Sequence, residues 1–186
     1  MNNTFFAAIF LMVCFSNCSK NNKNYTYNEL KNKGDSVATS AQQILVKNLT
    51  EQIHAKGFEF AVSFCNENAN ELLKNLEIAT NTSIKRLALK TRNKNNTCNE
   101  TEANILNTLA EQYEQTGIIT DTVVIETDNK IYYKTISIGM ETCLKCHGDK
   151  KNIDPIAYHK IRALYPNDEA IGFKLKEFRG AWKIKL

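Results

Sequence analysis

Cys143-Leu144-Lys145-Cys146-His147 places two thiols three positions apart with a histidine directly behind the second. At this spacing the thiols match the two vinyl groups of one haem, and the adjacent histidine reaches the iron from the same side. The pattern is the sequence signal for c-type haem attachment. With 6 Cys and 3 His in 186 residues, chance supplies about 0.003 such motifs. A zinc site would need Cys146 and His147, direct neighbours, at two corners of one tetrahedron. A thiol redox pair would leave His147 without a role. The motif therefore predicts a covalently bound haem c whose iron takes His147 as one axial ligand.

Such a haem is attached outside the bacterial cytoplasm, and the N-terminus agrees with export. Phe5 to Phe15 is an apolar run of signal-peptide length, too short to span a bilayer as a free helix. It lacks the usual preceding Lys or Arg. It ends at Phe15-Ser16-Asn17-Cys18, a layout that resembles a bacterial lipoprotein processing site. Residues 1–17 are then the signal peptide, Cys18 the lipidated first mature residue, and the periplasmic side of a membrane the expected location. Cys14, inside the apolar run, competes for that role. Residues 18–33, rich in Asn and Lys, read as a flexible tether, and 34–186 as one haem domain. The net charge of +4 is mild and no basic-aromatic interleaving occurs, so nucleic acid is not an expected partner. Of the remaining cysteines, Cys65 and Cys98 can pair as a disulfide in an oxidising compartment.

Periodicity gives the elements. Asp35 to Lys56 predicts a helix with Val37, Ala41, Ile44, Leu45, Leu49 and Ile53 on one face, stopped by Gly57. Phe58 to Leu76 predicts a second, with Cys65 in the middle of its apolar stripe and so facing inward. Ser83 to Lys90 reads as a strand, and Asn93 to Asn99 as a loop. Asn99 with Glu102 opens a helix that runs to about Gln115. Thr122 to Thr127 and Lys130 to Ile138 flank a turn at Asp128-Asn129. Gly139 to Lys151 reads as the haem-binding loop, Asp154-Pro155 opens a short helix, and Glu177 to Leu186 closes the chain as a strand. The sum is an α+β fold with N-terminal helices flanking an antiparallel sheet.

The residue opposite His147 decides what the iron does. A filled position suits electron transfer or sensing, and an open one suits gas binding or catalysis. Met140 lies beside Cys143, on the wrong side to reach the opposite face, and reads as a loop or core residue. His54 and His159 are ligands by chemistry, though a lone helical histidine is more often a surface residue. Cys98 lies in a polar loop as an incidental thiol. Cys65 reads equally as a ligand and as a small buried hydrophobe.

Four spaced blocks carry a resemblance. They are Ala61-Val62-Ser63-Phe64-Cys65-Asn66, Ile84 through Asn93, Cys143 through Gly148, and Leu164 through Phe173 running on to Phe178-Arg179-Gly180-Ala181-Trp182. In these the chain resembles the Tll-type haem domains, single-haem c-type cytochromes that also occur as sensor domains of bacterial histidine kinases. The loop Lys94 to Cys98 departs from that family's pattern in lacking prolines. The resemblance implies a PAS-like fold and a second axial ligand at the cysteine of the Cys-Asn pair, here Cys65. A thiolate ligand favours Fe(III), so the reduction potential is expected to be low, with the iron–sulfur bond weakening on reduction. Arg86 and Arg92 are candidates for pairing with the haem propionates, or are ordinary solvated arginines.

Two functions follow from a Cys/His-ligated iron: redox or ligand sensing, which requires a sensor partner, and low-potential electron transfer to a redox partner protein. No enzymatic activity is expected. A peroxidase-like enzyme would need an open iron face with His54 or His159 as acid–base group. A PAS-like interaction module with a structural haem is a further alternative.

Overall fold

The computed structural model describes residues 25–126 and 129–186. The signal peptide, Cys14, Cys18 and residues 18–24 of the expected tether lie outside the described residues, as does Asp128 of the expected turn.

Helix α1 covers Tyr27–Thr80 and is interrupted once, at Gly57, whose φ of 80° and ψ of 179° are not helical. The expected break is therefore present. Leu30 from the first arm and Leu73 from the second belong to one buried cluster. On a straight helix 43 residues would separate them by about 65 Å, so the chain must fold back at Gly57. The arms are residues 27–56 and 58–80.

The first arm starts eight residues earlier than its periodicity indicates. Thr26 caps it in a reciprocal box with Glu29, and Leu30, only 2% exposed, is already in the core. Residues 27–33 are thus helix rather than tether. Their apolar content is low because close approach replaces side-chain bulk: a Cβ on Gly34 would sit 2.3 Å from Tyr132 Cγ.

The sheet contains β1 (Ser83–Leu87), β2 (Asp121–Glu126), β3 (Asn129–Ser137) and β4 (Phe178–Lys185), all antiparallel in the order β1-β4-β3-β2. Asn129, expected in the turn, is the first residue of β3 and pairs with Glu126. Both faces are covered. Ile84, Tyr132, Trp182 and Ile184 meet α1 on one face. Leu87, Ile131, Tyr133 and Ala181 meet Leu106, Leu109 and Tyr113 of α2 (Glu100–Thr116) on the other. Each fully buried aliphatic side chain stabilises this packing by about 1.5–3 kcal/mol. Helix α2 has the expected Asn99–Glu102 capping box and ends at Gly117 in the left-handed region.

Two short helices complete the fold. The motif expected in a loop forms α3 (Glu141–His147), and α4 (Pro155–Leu164) opens on Asp154, whose carboxylate accepts from the Ile156 and Ala157 amides. The second arm of α1 packs on α4 through Val62, Ala157 and Ile161, with Phe58, Cys146 and Tyr165 at the margin. This packing brings the motif helix and the Cys65 arm together.

Candidate haem site

Helix α3 presents Cys143, Cys146 and His147 within two turns. The loop before β4 fixes its end. Gly172 N–H donates to Gly148 O and Phe173 N–H to His147 O, each at 2.9 Å. The His147 ring is held from the same loop, with Nδ1 2.8 Å from Ala170 O. A carbonyl only accepts, so Nδ1 carries the proton and Nε2 is left with its lone pair. Phe173 meets the ring edge-on, centroids 6.3 Å apart at 87°. Desolvation, with help from Arg92 and Arg179, holds the imidazole pKa well below its usual value. The result is a neutral, oriented histidine with one free nitrogen, the state a metal ligand requires.

Cys65 lies eight residues beyond Gly57. It does not face the interior as its place in the apolar stripe indicates. Ala61, Val62, Ala69 and Leu73 take the buried positions, and Cys65 is exposed. Its surroundings are still dense enough that desolvation raises its thiol pKa, opposed by the charges of Arg86 and Arg92. Cys146 feels the same neighbourhood: desolvation pushes it up to about 11, Arg92 opposes, and Cys65 adds to the rise. Cys65, Cys146 and Arg92 therefore lie within electrostatic range of one another. All four described cysteines are free thiols, so Cys65 and Cys98 are not bridged. Cys98 instead donates to Ala88 O at 3.6 Å, beside α2. Met140 sits at the start of α3 and is exposed, and His54 and His159 are exposed on α1 and α4.

Arg86 and Arg92 lie within electrostatic range of Cys65 and His147, and the strand after the Phe173 loop adds Arg179. Burial lowers the pKa of Arg86. Burial and the repulsion of Arg92 and Arg86 lower that of Arg179 to about 10. Among the described residues Asp168 is the one carboxylate ion-paired to any of these arginines, and its partner is Arg92. Arg92 is turned onto protein, reaching Cys146 O at 2.6 Å and Asp168 Oδ2 at 3.0 Å. Arg179 lends one N–H to Lys90 O at 3.1 Å. Arg86 makes no hydrogen bond to a described residue, so the cluster carries uncompensated positive charge. Tyr165 is a further neighbour: its hydroxyl donates to Asn66 Oδ1 at 2.8 Å, tying the residue after Cys65 to the end of α4.

Neither Arg179 nor Tyr165 stands out in the sequence as a site residue. Arg179 sits in an alternating strand where arginine usually points to solvent, and Tyr165 follows a helix end. Their only signal was membership of the fourth family block.

The donor set fits a haem. It offers two thiols and an oriented imidazole on one helix, a further thiol nearby, and cations in excess where carboxylates would be neutralised. Among the described residues no three His, Cys, Asp or Glu side chains gather as a metal cage.

Residues 19–186 match the Tll0287-like family model. The chain belongs to the Tll0287-like family. A crystal structure of the cyanobacterial haem protein Tll0287 has the same fold as this Tll0287-like chain. The TM-score is 0.64 at 21% identity, covering 87% of this chain and 96% of that one. Among curated proteins none matches.

Proposed function

We propose that the protein is a single-haem c-type cytochrome, held by thioethers at Cys143 and Cys146 with His147 and Cys65 as axial ligands. We propose that it acts in low-potential electron transfer or redox sensing with a partner protein. The observation that carries the reading is the His147 ring, whose Nδ1–H is committed to Ala170 O, leaving Nε2 with its lone pair on the same short helix as both motif cysteines. The family match and the haem protein it resembles in fold support the cofactor.

Bound haem supplies one-electron chemistry at iron, and the chain's residues set its terms. His147 is a fixed ligand because three hydrogen bonds join its helix end to the Ala170–Phe173 loop. Cys65 is the exchangeable one. It is exposed, on an arm that starts at the Gly57 break, and its raised pKa favours the neutral thiol whenever it leaves the metal. Arg86 and Arg179 are the propionate partners this geometry favours, with Arg92 engaged by Cys146 and Asp168. Exposed His54 and His159 offer no support for a peroxidase-like enzyme.

Export and lipidation at Cys18, placing the protein on the periplasmic side of a membrane, belong to the same proposal. No helix among the described residues is long and apolar enough to cross a membrane. Cys18→Ser should abolish labelling by a fatty-acid probe.

The deciding experiment is the Fe(III) optical and EPR spectrum of haem-loaded protein against Cys65→Ser. The proposal expects a low-spin thiolate signature that the variant lacks. An unchanged spectrum removes Cys65 from the iron. Ligand exchange at Cys65 on reduction or carbon monoxide addition favours sensing, and retention of both ligands through reversible cycling favours electron transfer.

A further inference from the structure

Ala170 is held by two charged side chains as well as by the axial histidine. Its carbonyl accepts from His147 Nδ1 at 2.8 Å and from Arg92 Nη2 at 3.3 Å. Its N–H donates to Asp168 Oδ1 at 2.9 Å. Asp168 Oδ2 in turn takes Arg92 Nη2 at 3.0 Å. Arg92 and Asp168, with side chains 13% and 2% exposed, therefore close a ring around the residue that orients His147. Arg92 Nη2 has two hydrogens for three acceptors, Cys146 O, Asp168 Oδ2 and Ala170 O, and the Ala170 contact is the longest of the three.

The chemistry of a shared acceptor is directional. A carboxylate or unencumbered carbonyl on the far nitrogen of a ligand histidine raises the ring's basicity toward the metal. A carbonyl that also accepts from a cation has less electron density to offer that N–H. Asp168 works against this effect by drawing Arg92 toward itself and neutralising it, in a buried setting where charge interactions are weakly screened.

We propose that the Arg92–Asp168 pair tunes the axial histidine through Ala170. Arg92 withdraws density from the shared carbonyl and makes His147 a weaker donor, and Asp168 limits that withdrawal. Both are positioning residues, since neither touches the iron. The proposal rests on the haem reading above and deepens it by naming what sets the donor strength of His147.

The test uses haem-loaded protein with two readouts: the reduction potential, and the proton resonance of the His147 ring N–H in the carbon-monoxide-bound ferrous form. Arg92→Leu should lower the equilibrium Fe(II)/Fe(III) ratio at fixed potential by tenfold or more, which is 59 mV for a one-electron couple. It should also move the ring proton downfield as its hydrogen bond strengthens. Asp168→Asn keeps an amide oxygen for Ala170 N–H and removes the charge. It should shift both readouts the other way. Arg92→Lys should fall between Arg92→Leu and wild type, and with Asp168→Asn it preserves the test if Arg92→Leu does not fold. Arg162→Leu removes an exposed cation of α4 outside this cluster and should leave the ring proton in place.

Same-sign shifts from Arg92→Leu and Asp168→Asn would overturn the proposal. So would an unmoved ring proton in both, which would reduce the pair to plain charge acting through space. Failure of the haem reading is distinguishable, because it would show in the wild type as absent covalent haem or absent histidine ligation.

Discussion

The two arms of α1 are held in opposite ways. Residues 27–56 lie against the sheet so closely that Gly34 leaves no room for a methyl group beside Tyr132. The Tyr132 hydroxyl lies between Asp35, at 3.1 Å, and Asp121, at 2.9 Å, and these carboxylates hold Lys134 and Lys31. Residues 58–80 start from a backbone reversal with open space around it, rest on α4 through a few apolar side chains, and carry an exposed thiol. The first arm is fixed by close contact with the sheet; the second is anchored in the same core at Leu73, while its Cys65 end is held by the α4 packing and one tyrosine. Under the proposed ligation the exchangeable thiol, Cys65, sits on the less tightly held stretch of α1, while His147 is held separately on α3.

The comparison can be broken at the first arm with the largest effect. Gly34→Ala places a Cβ at 2.3 Å from Tyr132 Cγ, so a backbone or ring must move. Overpacking of this kind is expected to cost about 3 kcal/mol, read as a lower denaturation midpoint at unchanged slope. Gly57→Ala meets no steric neighbour but forces a φ of 80° with ψ near 180° on a residue with a side chain. Its expected cost is about 1–3 kcal/mol. Unlike Gly34→Ala, it should weaken the Cys65-dependent feature of the Fe(III) spectrum in the protein that remains folded.

Tyr165→Phe sharpens the same contrast with a smaller change. It removes the donor to Asn66, worth about 1 kcal/mol at most for a neutral pair. Global stability should hardly move. Loss of Cys65 from iron on reduction should become faster or more complete, followed optically after rapid mixing with reductant; an unaltered rate would mean that Tyr165 does not restrain the arm.

The smallest effect is on acid sensitivity at the other face of the sheet. Burial acts to raise the Glu102 carboxyl pKa, but the Lys183 ammonium at 2.7 Å and the Asn99 amide outweigh it and hold it below 4.5. The native state then binds fewer protons than the unfolded chain between the two values. The contribution is complete above the unfolded pKa and lost as pH falls through the folded one. Glu102→Gln should therefore flatten the stability profile below about pH 4.5 while leaving the haem spectrum as it is.

Local signals in the sequence located much of this frame. Asn99 and Glu102 specify a cap by themselves, Asp154-Pro155 does the same for α4, and Gly57 ends a long periodic run. The strands were readable because alternating β-rich runs lie between turns. The start of α1 was hidden because Gly34 and Leu30 bury the arm by proximity, and a glycine adds nothing to an apolar stripe. Helix α3 was hidden because seven residues with a fixed Cys-x-x-Cys spacing leave no room for periodicity. At the site, the thiols and His147 are legible as side-chain chemistry. The carbonyl of Ala170 is not, since every residue has one and only the fold selects which of them meets the ring.

The distance along the chain between the motif and that carbonyl bears on how the molecule is made. Synthesis proceeds from the N-terminus, so Cys143 and Cys146 exist before Ala170, which lies 23 residues beyond His147. Phe173 and Arg179 come later still. On the proposed reading of an exported haem c protein, the translocating chain would offer its two thiols for covalent capture while the histidine ring is still unoriented. Ligand geometry becomes fixed only when the final segment docks, and a chain ending before that segment would carry the attachment chemistry without the means to aim its histidine.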